Sequence, residues 1–220
     1  MPGTEFLKQV TIFKGMDDEE ISNALRNLCA EEKAFEKGER CFFAGECTEQ
    51  MGLVLSGSVT VESNDLWGNR TVLNRIGKGG IFAETYSLLN NEPLLVDVVA
   101  NEKSNILFLK IKGLIIKEKE PFNWENKFVK NLLSVFAHKN LHLAKRSFHT
   151  AAKSIRGRLM AYLDTVSIQK GSSDFEIPFN RQQLADYLNV ERTALSKELG
   201  KMKKEGIIDV DKNHFCIKQT

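Results

Sequence analysis

No stretch of this 220-residue sequence approaches the apolar length of a membrane span, and its first residues lack a basic segment followed by an apolar one. Both absences set the expectation of a soluble, cytoplasmic protein. No CxxC pair occurs among the four cysteines, at 29, 41, 47 and 216, which argues against zinc and disulfide frameworks and for reduced structural thiols. The chain also has no nucleophile elbow, no phosphate-binding glycine loop and no paired-histidine motif with a carboxylate on its strands. It therefore reads as a non-enzyme.

What is present is enough apolar residue, 42% of the chain, to build one large or two small cores. The net charge of +2 hides an asymmetry. Residues 1–115 hold 12 Lys and Arg against 17 Asp and Glu, residues 116–150 hold 7 against 3, and residues 151–220 hold 12 against 9. An acidic N-terminal part and a basic C-terminal part suit a sensor joined to a nucleic-acid reader.

The order of elements is legible. Asp17 is placed to cap a helix, with Glu20 as its capping-box partner and Ile21, Leu25 and Leu28 as the apolar stripe. From about residue 30 to 112, short apolar or alternating runs follow one another: CFFAG, MGLVLSGSVTVES, RTVLNRI, LLVDVVA and SNILFLKI. Glycines at 45, 57, 68 and 79 punctuate them, which predicts an antiparallel barrel or sandwich. A long helix is expected from about 123 to 152. Val129, Leu132, Phe136 and Leu143 recur at coiled-coil steps, with polar Asn140 between them, so the stripe is a candidate seam with a second copy of the chain. Ser154 then caps a helix with Ile155, Leu159 and Leu163 on one face, QKGSSD is a loop, and FEIPF a short strand. The last segment, IIDVDKNHFCIK, alternates around a DKNH turn and predicts a β-hairpin or wing.

Between them lies NRQQLADYLNVERTALSKELGKMKKEGIID, residues 180–209. Leu184, Leu188, Val190 and Leu195 fit two helices crossing at a tight turn, and Asn189 sits where a positive φ is required. Arg192, Thr193, Ser196 and Lys197 then share the outward face of the second helix, the face a DNA major groove would meet. Asn180 and Arg181 at the start of the first helix, and Lys212 and His214 in the wing, are candidates for phosphate contacts. The fold class is α+β, in three parts: a β-roll sensor with an N-terminal helix over 1–122, a dimerisation helix over 123–152, and a winged helix-turn-helix over 153–220.

That order, with GGIFAE at Gly79–Glu84, Arg158 after the hinge and NVERTALSKEL as the recognition segment, resembles the Crp/Fnr family of bacterial transcription regulators. The resemblance implies a jelly-roll-like cyclic-nucleotide-binding-type domain and a homodimer on an inverted-repeat operator. It also implies RNA polymerase as a partner and a small effector in the β-roll. The effector compartment would be formed by Phe82, Ala83, Glu84, Thr85, Tyr86, Leu94, Leu95, Phe136, Asn140 and Leu143.

Several residues depart from the family pattern. Cyclic-AMP-binding members follow a Gly-Glu pair with an Arg-Ser pair that takes the cyclic phosphate; here Ala83 replaces the Gly, and the Arg and Ser positions fall on Leu94 and Leu95. A desolvated phosphate needs cationic, hydrogen-bonding partners, so cyclic AMP is not the expected effector. The compartment is then either an apolar ligand site or plain core. The closely spaced N-terminal cysteines of the cluster-binding branch are missing as well. The cofactor is unknown, and no metal is assigned. His138 and His142, one helical turn apart with His149 two turns on, leave open a haem- or metal-based gas or redox sensor, against the alternative of a solvated helix face. A regulatory module that does not bind DNA is the remaining alternative. Thr193 stands where many members carry a base-reading Glu, and Glu198 occupies a normally apolar position whose only evident use is pairing with a basic neighbour.

Overall fold

The computed structural model describes residues 3–64, 70–89, 91–114 and 122–218. Gly68, expected at a turn, lies outside the described residues. Two compact units divide the chain, Met1–Phe136 and Ala137–Thr220, so the boundary falls inside the long helix and not at its ends. No helix among the described residues is long and apolar enough to cross a membrane.

The first unit opens with α1 (Thr4–Gln9), a 3-10 turn over Thr11–Phe13, and α2 (Asp18–Asn27). Asp17 and Glu20 form the expected capping box: the Glu20 amide donates to Asp17 Oδ1 at 2.8 Å and the Asp17 amide to Glu20 Oε2 at 3.0 Å. Eight strands follow: β1 (Glu31–Phe35), β2 (Arg40–Phe42), β3 (Gln50–Ser56), β4 (Ser58–Asn64), β5 (Arg70–Gly77), β6 (Ile81–Phe82), β7 (Asp97–Ala100) and β8 (Ser104–Lys110). They make two antiparallel four-stranded sheets, ordered β1-β8-β3-β6 and β2-β7-β4-β5. A short helix, α3 (Glu84–Leu88), follows β6.

The MGLVLS run reads as continuous hydrophobicity because β3 is covered on both faces. Met51, Leu53 and Leu55, with Leu107 and Leu109 of β8, pack on Ile12, Phe13, Ile21, Trp124 and Phe128 from the helical side. Val54, Ile106 and Phe108 point the other way, toward Phe42, Val59, Phe82 and Val98 between the sheets. Phe42 sets its ring edge-on to both Phe82 and Phe108, at 5.8 and 5.5 Å. Gly52 is opposite both Phe82 and Phe108 in register, and any Cβ there would strike the Phe82 ring. Strand β1 escapes the periodicity reading because four of its five residues are exposed; it is a charged edge strand, paired on one side with β8.

Helix α4 runs Asn123–Thr150. Its first half is fastened to α2 by Glu20, whose carboxylate takes Lys127 Nζ at 2.6 Å and Asn123 Nδ2 at 2.8 Å. The seam expected along α4 needs one correction. Leu132 is 5% exposed and belongs to the core of its own unit, with Trp124 and Phe128, whereas Leu133 is 66% exposed. The outward stripe is therefore Val129, Leu133, half-buried Phe136, Asn140 and Leu143, at steps of four, three, four and three.

In the second unit, Ser154 caps α5 (Ile155–Lys170) by accepting the Gly157 amide at 3.0 Å, and left-handed Gly171 ends it. Next come β9 (Asp174–Glu176), α6 (Arg181–Leu188), α7 (Arg192–Lys204), β10 (Ile208–Asp211) and β11 (His214–Ile217). The expected two-stranded wing is a three-stranded sheet, β10-β11-β9, because Phe175 pairs with Phe215 across β9 and β11. Leu159 and Leu163 of α5, Leu184, Ala185 and Leu188 of α6, and Leu195, Leu199 and Met202 of α7 close one core with Phe175 and Phe215.

Candidate nucleic-acid interface

Helices α6 and α7 are set by their ends. Asn180 caps α6: its side chain accepts the Gln183 amide at 2.9 Å, and Gln183 Oε1 returns to the Asn180 amide at 2.9 Å. The Asn180 side-chain oxygen, expected on a phosphate, thus serves the helix. Asn189 ends α6 at φ 53°, as its residue type predicts. Three residues later α7 starts without any side-chain cap, so its first-turn amides face outward without an acceptor from Glu191. Leu195 and Leu199 point inward, which leaves Arg192, Thr193, Ser196 and Lys197 all exposed on the opposite face.

A groove of about 720 Å³ runs beside that face and gathers Asn180, Arg181, Arg192 and Lys212. Residues from three separate places in the sequence, all expected to meet DNA, line one surface. Arg181 is half-buried, and this desolvation lowers its pKa from the usual arginine value. Its Nη2 donates to the Lys212 carbonyl at 3.2 Å, which joins α6 to the wing. Among the predicted contacts, His214 is placed differently. Its Nε2 lies 2.7 Å from Asp174 Oδ1, in a recess shared with Asp209, Asp211, Lys203 and Lys218, and it does not line the groove. His214 thus lies outside the groove that gathers Arg181, Arg192 and Lys212, with Asp174 as its partner.

The geometry also accounts for Glu198. Its Oε1 meets Arg156 Nε at 2.6 Å, and Arg156 reaches Glu205 as well, Nη1 to Oε2 at 2.7 Å. The bonds from Glu205 and then Glu198 raise the Arg156 pKa, and the same guanidinium holds Glu205 below the usual carboxylate range. One arginine of α5 thus holds Glu198 of α7 and Glu205 at its C-terminal cap.

Two further arginines close the C-terminus of α6. Arg158 donates from Nε to the Ala152 carbonyl at 2.8 Å and from Nη1 to the carbonyls of Leu188 and Asn189 at 3.2 and 2.9 Å. Arg146, on α4, donates from Nε to the Tyr187 carbonyl at 3.1 Å and from Nη2 to that of Asp186 at 3.0 Å. Four consecutive carbonyls at the negative end of a helix dipole thereby receive cationic donors. Sequence reasoning missed Arg146, since nothing in its local pattern marks the end of a helix 40 residues away.

The histidines of α4 do not assemble a ligand set. His149 is buried, with Nδ1 2.9 Å from the Tyr187 hydroxyl and Nε2 3.0 Å from Thr165 Oγ1, so both ring nitrogens are engaged by protein groups. Burial, helped by the charge of Lys145, lowers its pKa. His142 sets its ring edge-on to Tyr187 at 6.2 Å, and His138 is exposed. Among the described residues no group of three His, Cys, Asp or Glu side chains is placed to hold a metal ion. All four cysteines are free; burial, with Glu39 nearby, pushes the Cys41 thiol up to about 12, so it stays protonated at neutral pH.

A Crp-like helix-turn-helix domain matches residues 157–220, and a cyclic nucleotide-binding domain matches residues 32–115. The chain belongs to the Crp/Fnr family of transcription regulators. Among solved structures, the catabolite activator protein of Thermus thermophilus is 23% identical, with 94% of this chain and 93% of that one covered and a TM-score of 0.52. CprK in complex with OCPA is 16% identical over 89% and 91% of the two chains, at a TM-score of 0.62. The c-di-GMP-responsive global regulator CLP of Xanthomonas campestris is 16% identical over 93% and 100%, at 0.56. At these identities the likeness is one of fold. No curated protein sequence matches the chain. As a Crp/Fnr regulator it joins an effector-binding domain to a DNA-binding one.

In this Crp/Fnr member the GGIFAE cassette leads from β5 through β6 into α3. Ala83, which stands in place of the family glycine, is left-handed at φ 59°, a conformation that costs a residue with a Cβ about 1–2 kcal/mol. Glu84 behind it is buried, Thr85 is exposed, and Tyr86 is half-buried against the cluster that holds Phe82 and Leu94. The two leucines at the Arg-Ser positions part company: Leu94 is 2% exposed and Leu95 71%. Leu95 therefore does not line the compartment with Leu94. Phe136 packs instead on the helical-side cluster with Leu132, apart from Phe82. Asn140 and Leu143 are exposed residues of the second unit.

Proposed function

We propose that this Crp/Fnr regulator acts in the cytoplasm as a homodimer that reads an inverted-repeat operator and engages RNA polymerase. In this reading a small effector other than cyclic AMP, held in the β-roll domain, controls it. The observation that carries DNA reading is the uncapped, solvent-facing start of α7. There Arg192, Thr193, Ser196 and Lys197 stand outward beside a groove that also holds Arg181 and Lys212. The outward stripe Val129, Leu133, half-buried Phe136, Asn140 and Leu143 supports pairing along α4. Paired chains would present α7 to successive major grooves roughly 34 Å apart. Cyclic AMP is disfavoured because buried Leu94 and outward Leu95 supply no partner for a cyclic phosphate.

The test separates base reading from backbone contact. Arg192→Ala should lose about 1–3 kcal/mol per half-site on the selected operator, and little on random DNA. Arg181→Ala should weaken both DNAs alike and flatten the salt dependence by about one unit per contact. Equal losses on both DNAs for Arg192→Ala would make Arg192 a backbone clamp and pass the reading to Ser196 and Lys197.

A further inference from the structure

A second concave site lies wholly within the C-terminal unit. It is a cavity of about 540 Å³ that adjoins the DNA-facing groove across Phe179. One wall is aromatic. Tyr162 of α5, Phe179 just before α6 and Tyr187 of α6 pack on one another as tilted rings, with centroids 5.0 to 5.9 Å apart and interplanar angles of 32° to 60°. The lining also carries basic side chains. Lys145 and His142 come from α4 and Lys170 from α5, against Glu176 as the one acid lining the cavity among the described residues. Lys170 is already engaged, its Nζ donating to the Glu176 backbone carbonyl at 2.8 Å, which leaves half-buried Lys145 as the other lysine lining the cavity.

Each feature selects for a property of the occupant. An aromatic wall favours an arene, which gains dispersion and ring-edge contacts there. An ammonium at a partly desolvated rim favours an anion, and a charge-assisted bond is about twice as strong as a neutral one. The volume falls in the range of small-molecule sites and is too small for a peptide or a lipid chain with its headgroup. Fixed polar edges are present as well: the Tyr187 hydroxyl and Thr165 are held by His149, and Asn213 Nδ2 is anchored to the Ile177 carbonyl at 3.2 Å. We propose that this cavity binds one small arene carboxylate per chain, its ring against Phe179 and Tyr187 and its carboxylate on Lys145. The site is separate from the β-roll domain, and the inference does not depend on the operator or the dimer.

The experiment is calorimetric titration of the full-length protein with 4-hydroxybenzoate and, in parallel, with its neutral counterpart 4-hydroxybenzamide. The expected result is one site per chain with a Kd of about 0.1–1 mM, in keeping with a ligand of this size. The amide should bind at least about tenfold more weakly, the loss expected when a charge-assisted bond is withdrawn. Lys145→Met should weaken the acid by a similar factor and leave the amide unchanged. Val166→Trp, which fills the cavity from α5, should abolish binding of both. If Val166→Trp fails to fold by circular dichroism, the Lys145→Met comparison decides. Absence of heat at concentrations well above that Kd overturns the proposal. So does an amide that binds as tightly as the acid, or binding indifferent to Lys145→Met, since either places the ligand elsewhere or removes the role of charge.

Discussion

Removing the Arg158 side chain should loosen the helix-turn-helix without touching its reading face. Arg158 makes three hydrogen bonds to backbone carbonyls, two of them at the turn between α6 and α7. A bond from a charged donor is worth about 1.5–3 kcal/mol, and a cation at a helix C-terminus adds about 0.3–1 kcal/mol. The site is half-buried, so water can reach part of what the guanidinium leaves, and the three bonds do not simply add. Arg146 still covers Asp186 and Tyr187 in the variant. A loss of about 2–3 kcal/mol for Arg158→Ala follows, which is about 30- to 150-fold in an opening equilibrium. Because the chain has two units, a single unfolding free energy is a poor readout. Native-state hydrogen exchange of the α6 and α7 amides reads the opening directly. Those amides should exchange faster by that factor, while β3 and β8 amides stay unchanged. Arg158→Lys should recover about half the loss, since one ammonium cannot span the three acceptors that a planar guanidinium reaches. Exchange in α6 and α7 within about threefold of the unaltered protein would refute the clamp.

Two other changes probe the long helix and the buried histidine. Leu133→Asp should leave thermal stability nearly intact and yield monomers by sedimentation velocity, whereas Leu132→Asp, which puts a charge into the core with Trp124 and Phe128, should cost about 3–5 kcal/mol of first-unit stability; the reverse pattern would return Leu132 to the seam. His149 titrates lower when folded than when unfolded, so the unfolded chain binds the extra proton first. Its contribution is fully present above the unfolded value near 6.5 and is lost as pH falls from there through the depressed folded value. Urea midpoints measured from pH 7.5 down to about 5 should fall in the unaltered protein and fall less in His149→Gln, and identical slopes would remove His149 from the account.

Much of the architecture was readable before any contact was known. Asp17 with Glu20, Ser154 and Asn189 each act on a backbone group within a few residues, so their roles at helix ends are decided locally. The alternation of short runs between 30 and 112, and the outward grouping of Arg192, Thr193, Ser196 and Lys197, follow from strand and helix periods in the same way. Side chains that work across space were not readable. Arg146 and Arg158 find the end of α6 from two other helices, and while a basic partner for Glu198 was expected, that it is Arg156 of α5 was not.

The sequence by itself determined the order of elements, the turn residues and the face of α7, because those depend on neighbours a few residues apart. Only the tertiary structure decided between equivalent choices. Leu132 turns inward and Leu133 outward because the core of the first unit lies on one side of α4. Leu94 is buried and Leu95 exposed although the two are alike in type and adjacent in sequence. His214 meets Asp174 because β9 lies beside β11, and a hairpin pattern alone does not say which strand will come alongside. A helix or strand period defines faces, but which face is buried is set by whatever the rest of the chain packs against it.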